Sequence, residues 1–222
     1  MSALALVAAR DEEERIADTV EALRSVADRV VVVDDGSGDR TAEAAAEAGA
    51  RVLVVPRSIG KGGALEGALA RLERVDAYVL VDGDVGPSAK EAVALLEQVR
   101  TDRADLAIGV LAPDPRHGGL RLVKRAAGAA VEAACGFRPQ EPLSGQRALS
   151  RRAMEAVRPL SGGFGVEVGM TIDAVRAGLR VIEVPVEMEH SPTGRSPAAF
   201  VHRARQGLAV LGASVPRALG LR

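Results

Sequence analysis

The sequence has little of what several protein classes require. Cys135 is the only cysteine among 222 residues, which excludes an intramolecular disulfide, a secreted disulfide scaffold and a cysteine-based metal site. There is no tryptophan, and one tyrosine with three phenylalanines is too few for a base-stacking platform. Lysine plus arginine (29) almost balance aspartate plus glutamate (30), so no broad positive field gathers nucleic acid. We therefore expect no nucleic-acid partner.

Long apolar runs are also missing. No uninterrupted apolar segment reaches the roughly 20 residues that span a bilayer, and no early segment has the pattern of a signal peptide. With a single cysteine, this predicts a cytoplasmic protein without a membrane span. A composition of 47% hydrophobic and 27% charged residues is typical of a globular chain, and 222 residues suit one domain.

Short apolar runs alternate with alanine-rich stretches through the first hundred residues. The runs at 3–9, 30–33, 51–55, 77–81 and 106–111 lack polar alternation, as strands covered on both faces do. Between them, residues 11–27, 39–48, 62–73 and 88–100 have helical patterns. Strict alternation of this kind predicts an α/β fold with a doubly wound, mostly parallel central sheet flanked by helices.

Paired acidic residues follow two of the predicted strands. In such a sheet, ligands bind beyond the carboxyl ends of the strands. Asp34 and Asp35 end the second strand before a glycine-containing turn, where carboxylates can accept hydrogen bonds from a base or from ribose hydroxyls. Asp82 and Asp84 end the fourth strand and are typical of a hard-cation site for Mg²⁺ or Mn²⁺ beside a diphosphate.

Other nucleotide sites fit less well. Residues 11–14 are four consecutive acids where a dinucleotide site needs glycines, and they also suit a helix N-terminus as charges that complement its dipole. Gly60-Lys61-Gly62-Gly63 lacks the spacing and the hydroxyl residue of a P-loop. Lys61 is nevertheless suited to holding a phosphate at a helix start, while Asp39 has the ordinary alternative role of a helix cap.

Five segments in order resemble a known family. They are Val-Val-Val-Asp-Asp-Gly-Ser-Gly-Asp-Arg-Thr (31–41), Gly-Lys-Gly (60–62), Asp-Gly-Asp (82–84), Ser-Gly-Gln-Arg-Ala-Leu-Ser-Arg (144–151) and Gly-Phe-Gly-Val-Glu (163–167). Together they resemble family 2 glycosyltransferases of GT-A fold, especially the polyprenyl-phosphate (dolichyl-phosphate) sugar transferases. The resemblance implies one GT-A domain over 1–222, with a nucleotide-sugar-binding half (1–111) and an acceptor-side half with a C-terminal helix (112–222).

The resemblance also implies roles for individual residues. The nucleotide-sugar contacts fall on Ala8, Arg10, Glu12, Asp34, Asp35, Lys61, Asp82 and Gly83. The divalent cation, Mg²⁺ or Mn²⁺, falls on Asp82, Asp84 and His190. Two motifs depart from the family pattern: residues 8–12 are Ala-Ala-Arg-Asp-Glu in place of Pro-Ala-Tyr-Asn-Glu, and residues 141–147 are Glu-Pro-Leu-Ser-Gly-Gln-Arg in place of Asp-Pro-x-Ser-Gly-Phe-Arg.

The implied reaction transfers a sugar from a UDP- or GDP-type donor to a hydroxyl or a polyprenyl phosphate, by an inverting single displacement. A hydroxyl acceptor needs a base, for which Glu141 and Glu167 are the candidates. A phosphate acceptor is already ionised and needs cationic contacts instead. The candidates for acceptor or phosphate contacts are Arg121, Arg125, Arg147 and Arg195.

Two other functions and the role of the last predicted helix stay open. A catalytically inactive nucleotide-sugar-binding protein has the same motifs. Residues 79–84 also resemble the first motif of haloacid-dehalogenase-type phosphatases, in which one acid is a nucleophile. The last predicted helix, 198–221, alternates arginines with apolar residues, so it suits docking on the core or peripheral contact with the inner face of the membrane.

Overall fold

The computed structural model describes residues 1–112, 120–162 and 165–189, with the backbone alone for 120–122. His190, Arg195, the predicted helix 198–221 and the side chain of Arg121 lie outside this description. The strands are β1 (Ala3–Ala9), β2 (Arg29–Asp34), β3 (Arg51–Val54), β4 (Ala77–Asp82), β5 (Leu106–Leu111), β6 (Arg147–Ser150) and β7 (Val181–Val186).

These strands form one seven-stranded sheet in the order β3-β2-β1-β4-β6-β5-β7. β1 pairs in parallel with β2 and β4, and β2 pairs in parallel with β3. β6 runs antiparallel to both of its neighbours, while β5 and β7 are parallel. The predicted mostly parallel sheet is confirmed, with β6 as the one reversed strand among the described residues.

Helices cover both faces of the sheet. They are α1 (Ile16–Leu23), α2 (Thr41–Glu47), α3 (Lys61–Leu69), α4 (Ala92–Arg100), α5 (Leu120–Cys135), α6 (Arg151–Val157) and α7 (Val166–Arg176), with a 3₁₀ segment at Gly83–Glu91. Along β1, Ala5 and Val7 pack into the core on one face, and Leu4 and Leu6 into the core on the other. This explains why the central strands are apolar without alternation.

Two helices begin later than the sequence pattern predicts. Residues 11–15 precede α1, and Asp11 has a positive φ of 57°, a conformation that does not occur within a right-handed helix. Residues 83–91 form the 3₁₀ segment before α4, and Gly86 interrupts it at φ 62°. Both irregular stretches lie at the carboxyl edge of the sheet, where they present acidic side chains. Among the described residues, none of the helices has both the length and the hydropathy of a membrane span.

Candidate active site

The carboxyl ends of three strands lie side by side at one edge of the sheet. Ala9 of β1 is in register with Asp34 of β2, and Ala8 is in register with Asp82 of β4. The ends of β2 and β4 therefore flank the end of β1. This register brings together candidate residues that are almost fifty positions apart in the chain.

Asp34 and Asp35 are both buried and hydrogen-bonded. Asp34 Oδ1 accepts from the Ser37 backbone N–H at 2.9 Å and from its hydroxyl at 2.5 Å. Asp35 accepts from the Ser58 hydroxyl at 2.8 Å and from the backbone N–H groups of Ile59 and Gly60 at 2.8 and 2.9 Å. Asp35 thus holds the loop that precedes α3. This structural role was not predicted from the sequence.

Arg10 extends from the end of β1 towards the same loop. Its Nη1 donates to the Ser58 hydroxyl at 3.0 Å, while the side chain remains exposed. Gly83 is buried against the end of β1, where a β-carbon would lie 2.9 Å from the Ala9 β-carbon. The structure therefore brings Arg10 and Gly83, two of the predicted nucleotide contacts, to the same edge of the sheet.

Lys61 links two carboxylates from distant parts of the chain. Its ammonium donates to Asp82 Oδ1 at 2.6 Å and to Glu167 Oε1 at 2.8 Å. Burial alone disfavours the charged lysine, but the charges of Asp82 and Glu167 outweigh it and raise the pKa of Lys61 above its usual value. The cluster joins the start of α3, the end of β4 and the first turn of α7.

Gln146 contacts Asp82 from the opposite side. Its Nε2 donates to Asp82 Oδ2 at 2.9 Å, and its Oε1 accepts from the Asp82 backbone N–H at 3.3 Å. Gly145 packs so closely that a β-carbon there would lie 2.3 Å from Asp82 Oδ2. Gln146 was not predicted as a site residue, although it lies beside Arg147 in the motif at residues 144–151.

Asp84 follows in the 3₁₀ segment, close to Glu12. Burial, followed by the negative charges of Asp84 and Asp82, raises the pKa of Glu12 to about 7. The buried Thr19 hydroxyl lies 2.9 Å from the Gly83 carbonyl oxygen and accepts from the Gly86 N–H at 2.7 Å. Thr19, which the sequence analysis also missed, thereby orders the backbone on both sides of Asp84.

These carboxylates suit a hard divalent cation by donor chemistry. Asp84 and Asp82 lie close enough to Glu12 that their charges, after burial, contribute to its raised pKa, and carboxylate oxygens are the preferred ligands of Mg²⁺ and Mn²⁺. Within the described ranges, no group of three histidine, cysteine, aspartate or glutamate side chains has the arrangement of a complete metal site.

The second half of the chain supplies the other candidates. Glu141 pairs with Lys124 of α5, and its backbone N–H donates to Glu183 at 2.8 Å. Arg125 is exposed on α5. Glu167, by contrast, is 6% exposed and belongs to the Lys61 cluster. The two candidate bases therefore lie in separate ion pairs.

Arg147, a predicted acceptor or phosphate contact, is fully buried. The residue is 0% exposed, its Nε donates to the Ser144 carbonyl oxygen at 2.8 Å, and its Nη1 donates to the Thr171 hydroxyl at 3.0 Å. Burial lowers its pKa to about 10 despite the nearby charge of Glu167. Arg147 lies on β6, between β4 and β5 in the sheet, and its role as an acceptor or phosphate contact stays a prediction.

A cavity of about 470 Å³ lies at the opposite edge of the sheet, lined by the starts of β2 and β3 at Arg29 and Arg51. None of the acidic residues at the strand ends reaches it. An acidic depression of about 180 Å³ lies at the carboxyl edge and includes Glu12 and Asp39. We place the candidate site at the carboxyl edge, where α/β sheets bind ligands and where the charged groups converge.

Residues 5–144 match the family model of glycosyl transferase family 2. The chain belongs to glycosyl transferase family 2. It is 31% identical over 189 residues to the glycosyltransferase AglJ of Haloferax volcanii, covering 83% of this chain and 62% of AglJ. It is 30% identical over 249 residues to the undecaprenyl-phosphate mannosyltransferase of Micrococcus luteus, covering 100% of both chains.

Among solved structures, the fold matches glucosyl-3-phosphoglycerate synthase from Mycobacterium tuberculosis in complex with Mn²⁺, UDP and phosphoglyceric acid. The TM-score is 0.81 at 25% identity, covering 98% of this chain and 78% of that one. The predicted family, the GT-A fold and the glycosyltransferase class are thereby confirmed. The chain spans less than two thirds of the length of AglJ. The donor and the acceptor of this chain therefore do not follow from the names of its relatives.

Proposed function

We propose that this family 2 member transfers a sugar from a UDP- or GDP-type donor to a phosphate-bearing acceptor, with polyprenyl phosphate as the first candidate, by an inverting single displacement. The observation that carries the proposal is the Lys61 cluster, in which one ammonium bridges Asp82 and Glu167 at the carboxyl edge of the sheet. This places one positive group within a largely acidic edge, where a diphosphate and its cation would bind.

Lys61 has a donor left for a ligand. A lysine ammonium carries three N–H donors, and Asp82 and Glu167 each accept one. The Lys61 side chain as a whole is 19% exposed. We assign its third N–H to an oxygen of the leaving diphosphate, where charge accumulates as the sugar departs.

Asp82 and Asp84 are the residues that would hold the divalent cation, which supplies Lewis-acid stabilisation of the leaving diphosphate. Glu12 faces both carboxylates and is half-buried. Its charge adds to the attraction for a cation. The M. tuberculosis synthase is similar to this chain in fold and was solved with Mn²⁺ and, in another crystal, with Mg²⁺, which supports this assignment.

The ion pairs favour a phosphate acceptor over a hydroxyl acceptor. Glu167 holds Lys61, and Glu141 holds Lys124, so each candidate base already neutralises a lysine. A phosphate acceptor requires no base because its oxygen is ionised before attack. The compounds named for two similar proteins, undecaprenyl phosphate and phosphoglyceric acid, both carry a phosphate group.

The same pairing supports a single displacement. Retention through a covalent intermediate requires an enzyme nucleophile that attacks the sugar. In the described part of the cleft, Glu167 is held by the Lys61 ammonium rather than left free for attack. Direct attack by the acceptor oxygen inverts the anomeric carbon.

The experiment uses a matched pair of acceptors. Purified chain is incubated with Mn²⁺ and UDP-glucose, UDP-N-acetylglucosamine or GDP-mannose, together with a short polyprenyl phosphate or the corresponding polyprenol. We expect transfer to the phosphate alone, with inversion at the anomeric carbon seen by NMR. Asp84→Asn should abolish transfer, whereas Asp18→Asn, an exposed acid of α1, should not.

Other outcomes contradict the proposal. Transfer to the polyprenol would replace the phosphate acceptor with a hydroxyl acceptor. Nucleotide-sugar binding without turnover on any phosphate-bearing acceptor would favour an inactive binding protein. Hydrolysis of a phosphomonoester that requires Asp82 would favour the phosphatase alternative.

A further inference from the structure

We propose that Gln146 is a positioning residue for donor binding and acts through Asp82. Its amide makes two hydrogen bonds to this one residue, one to the side-chain carboxylate and one to the backbone N–H. This inference rests on the proposed function, since it assumes that the Asp82 edge binds the nucleotide diphosphate.

The two contacts determine the orientation of the amide. Nε2 donates to the Asp82 carboxylate at 2.9 Å, and Oε1 faces the Asp82 backbone N–H at 3.3 Å. The reversed amide would place an oxygen against a carboxylate and an N–H against an N–H, which is repulsive on both sides. Gln146 therefore binds the side chain and the backbone of Asp82 together.

Gln146 is itself held firmly. It is 0% exposed, its carbonyl oxygen accepts from the Gly109 N–H at 2.8 Å, and its own N–H donates to the Ser144 hydroxyl at 3.3 Å. A β-carbon on Gly109 would lie 3.2 Å from the Gln146 β-carbon, so β5 packs directly against it. Because the amide is buried, water does not substitute for its contacts with Asp82.

The amide and the lysine share the Asp82 carboxylate. Lys61 occupies Oδ1 and Gln146 occupies Oδ2, so the plane of the carboxylate is defined from both sides. Without the amide, Oδ2 loses this hydrogen bond, and rotation of the carboxylate about its terminal bond is less restricted. The Lys61 ammonium then lacks a fixed partner, and its third N–H is no longer oriented towards the diphosphate. Substitutions in such supporting contacts typically lower affinity or activity by about 10- to 100-fold.

The test is a double-mutant cycle between Gln146 and Asp82. Binding of UDP and of GDP in the presence of Mn²⁺ is measured by calorimetry for the wild type, Gln146→Met, Asp82→Asn and the double variant. We expect Gln146→Met to weaken binding by about tenfold, and the double variant to match Asp82→Asn within about twofold. Gln98→Met, a distant glutamine whose amide contacts only the Ala94 carbonyl oxygen in its own helix, is the control and should bind like the wild type.

Gln146→Glu separates positioning from packing. It keeps the size of the side chain and an oxygen for the Asp82 N–H, but replaces the donor to Oδ2 with a carboxylate oxygen, which removes this hydrogen bond and adds repulsion with Asp82. We expect it to weaken nucleotide binding and to raise KM for the donor, while KM for the acceptor stays unchanged. It also serves as the second variant if Gln146→Met does not fold, which thermal unfolding of each protein will show.

Three results overturn the inference. Gln146→Met and Gln146→Glu binding the nucleotide like the wild type would remove the role of the amide. A second result is that Gln146→Met lowers nucleotide affinity by the same factor in the Asp82→Asn background as in the wild type. That result would show that Gln146 acts independently of Asp82. If the wild type binds neither nucleotide with Mn²⁺, both the proposed function and the inference about Gln146 are wrong. If the wild type binds a nucleotide and the Gln146 variants bind it equally well, only the inference about Gln146 is wrong.

Discussion

Gly62 of α3 lies directly against the backbone of Ser161, which precedes α7. A β-carbon on residue 62 would stand 1.7 Å from the Ser161 carbonyl oxygen and 3.3 Å from the Val166 β-carbon. The glycine therefore lets the start of α3 approach the start of α7. This approach brings Lys61 within 2.8 Å of Glu167.

Gly62→Ala should destabilise the protein and weaken donor binding. The new methyl group would collide with a backbone oxygen, so α3 has to shift, at a cost of about 1–3 kcal/mol in the free energy of unfolding. Gly67→Ala is the matched control because it lies in the same helix with nothing within 4 Å of its β-carbon position. The control should gain about 0.5–1 kcal/mol from helix propensity. Urea unfolding measures both, and equal effects would refute the contact.

Thr19→Val should loosen the segment that carries Asp84. The substitution removes the hydroxyl that accepts from Gly86 and lies beside the Gly83 carbonyl oxygen. Leaving these buried backbone groups without a partner costs about 1–3 kcal/mol, so we expect the melting temperature to fall by about 2–4 °C for each kcal/mol. Thr19→Ser should recover most of the loss. Thr101→Val, at an exposed helix end, is the control.

Glu12 should make metal-free stability fall as the pH rises. Its pKa is 4.5 for an isolated carboxyl group and about 7 in the folded protein, so between these values the folded state binds more protons than the unfolded state. The free energy of unfolding therefore decreases with increasing pH across this window. After allowance for solvent screening of a half-exposed group, the total is about 1 kcal/mol.

Glu12→Gln removes this titration. In EDTA, the variant should be more stable than the wild type at pH 8 and lose that advantage below pH about 4.5, as measured by urea unfolding across the pH range. Glu14→Gln removes an exposed neighbouring charge and should leave the pH slope unchanged. A wild-type slope retained in Glu12→Gln would assign the effect to another group.

Arg158→Met should destabilise the junction between α3 and α6. Arg158 donates to both carboxylate oxygens of Glu66, with Nη2 at 2.7 Å from Oε1, and the Leu160 N–H also donates to Glu66 at 3.0 Å. A paired arginine of this kind contributes about 1–2 kcal/mol. Arg74→Met breaks the more exposed pair with Glu155 and should cost less than about 0.5 kcal/mol. Thermal unfolding compares the two, and equal losses would contradict the prediction.

Much of the fold follows from local sequence pattern. The runs at residues 3–9 and 77–81 are apolar throughout, and the structure confirms them as β1 and β4 in the centre of the sheet. The position of the reversed strand β6 between β4 and β5 does not follow from local pattern, because it depends on pairing between distant segments. The buried environment of Arg147 follows from that placement.

The candidate site, like the fold, could be predicted only in part from the sequence. The acids at the ends of β2 and β4 were identifiable because carboxylates rarely end buried strands without a partner. The partners were not identifiable. Lys61 and Glu167 are 106 positions apart, and Gln146 is 64 positions from Asp82, so no local pattern connects them.

The amino-acid order alone determined the strands, their burial on both faces and the edge at which the acids emerge, because these depend on residue type and periodicity. Tertiary packing alone decided which donor faces which oxygen of Asp82. Those contacts require β6, α3 and α7 to meet at the end of β4, and their meeting depends on the space left by Gly62 and Gly145.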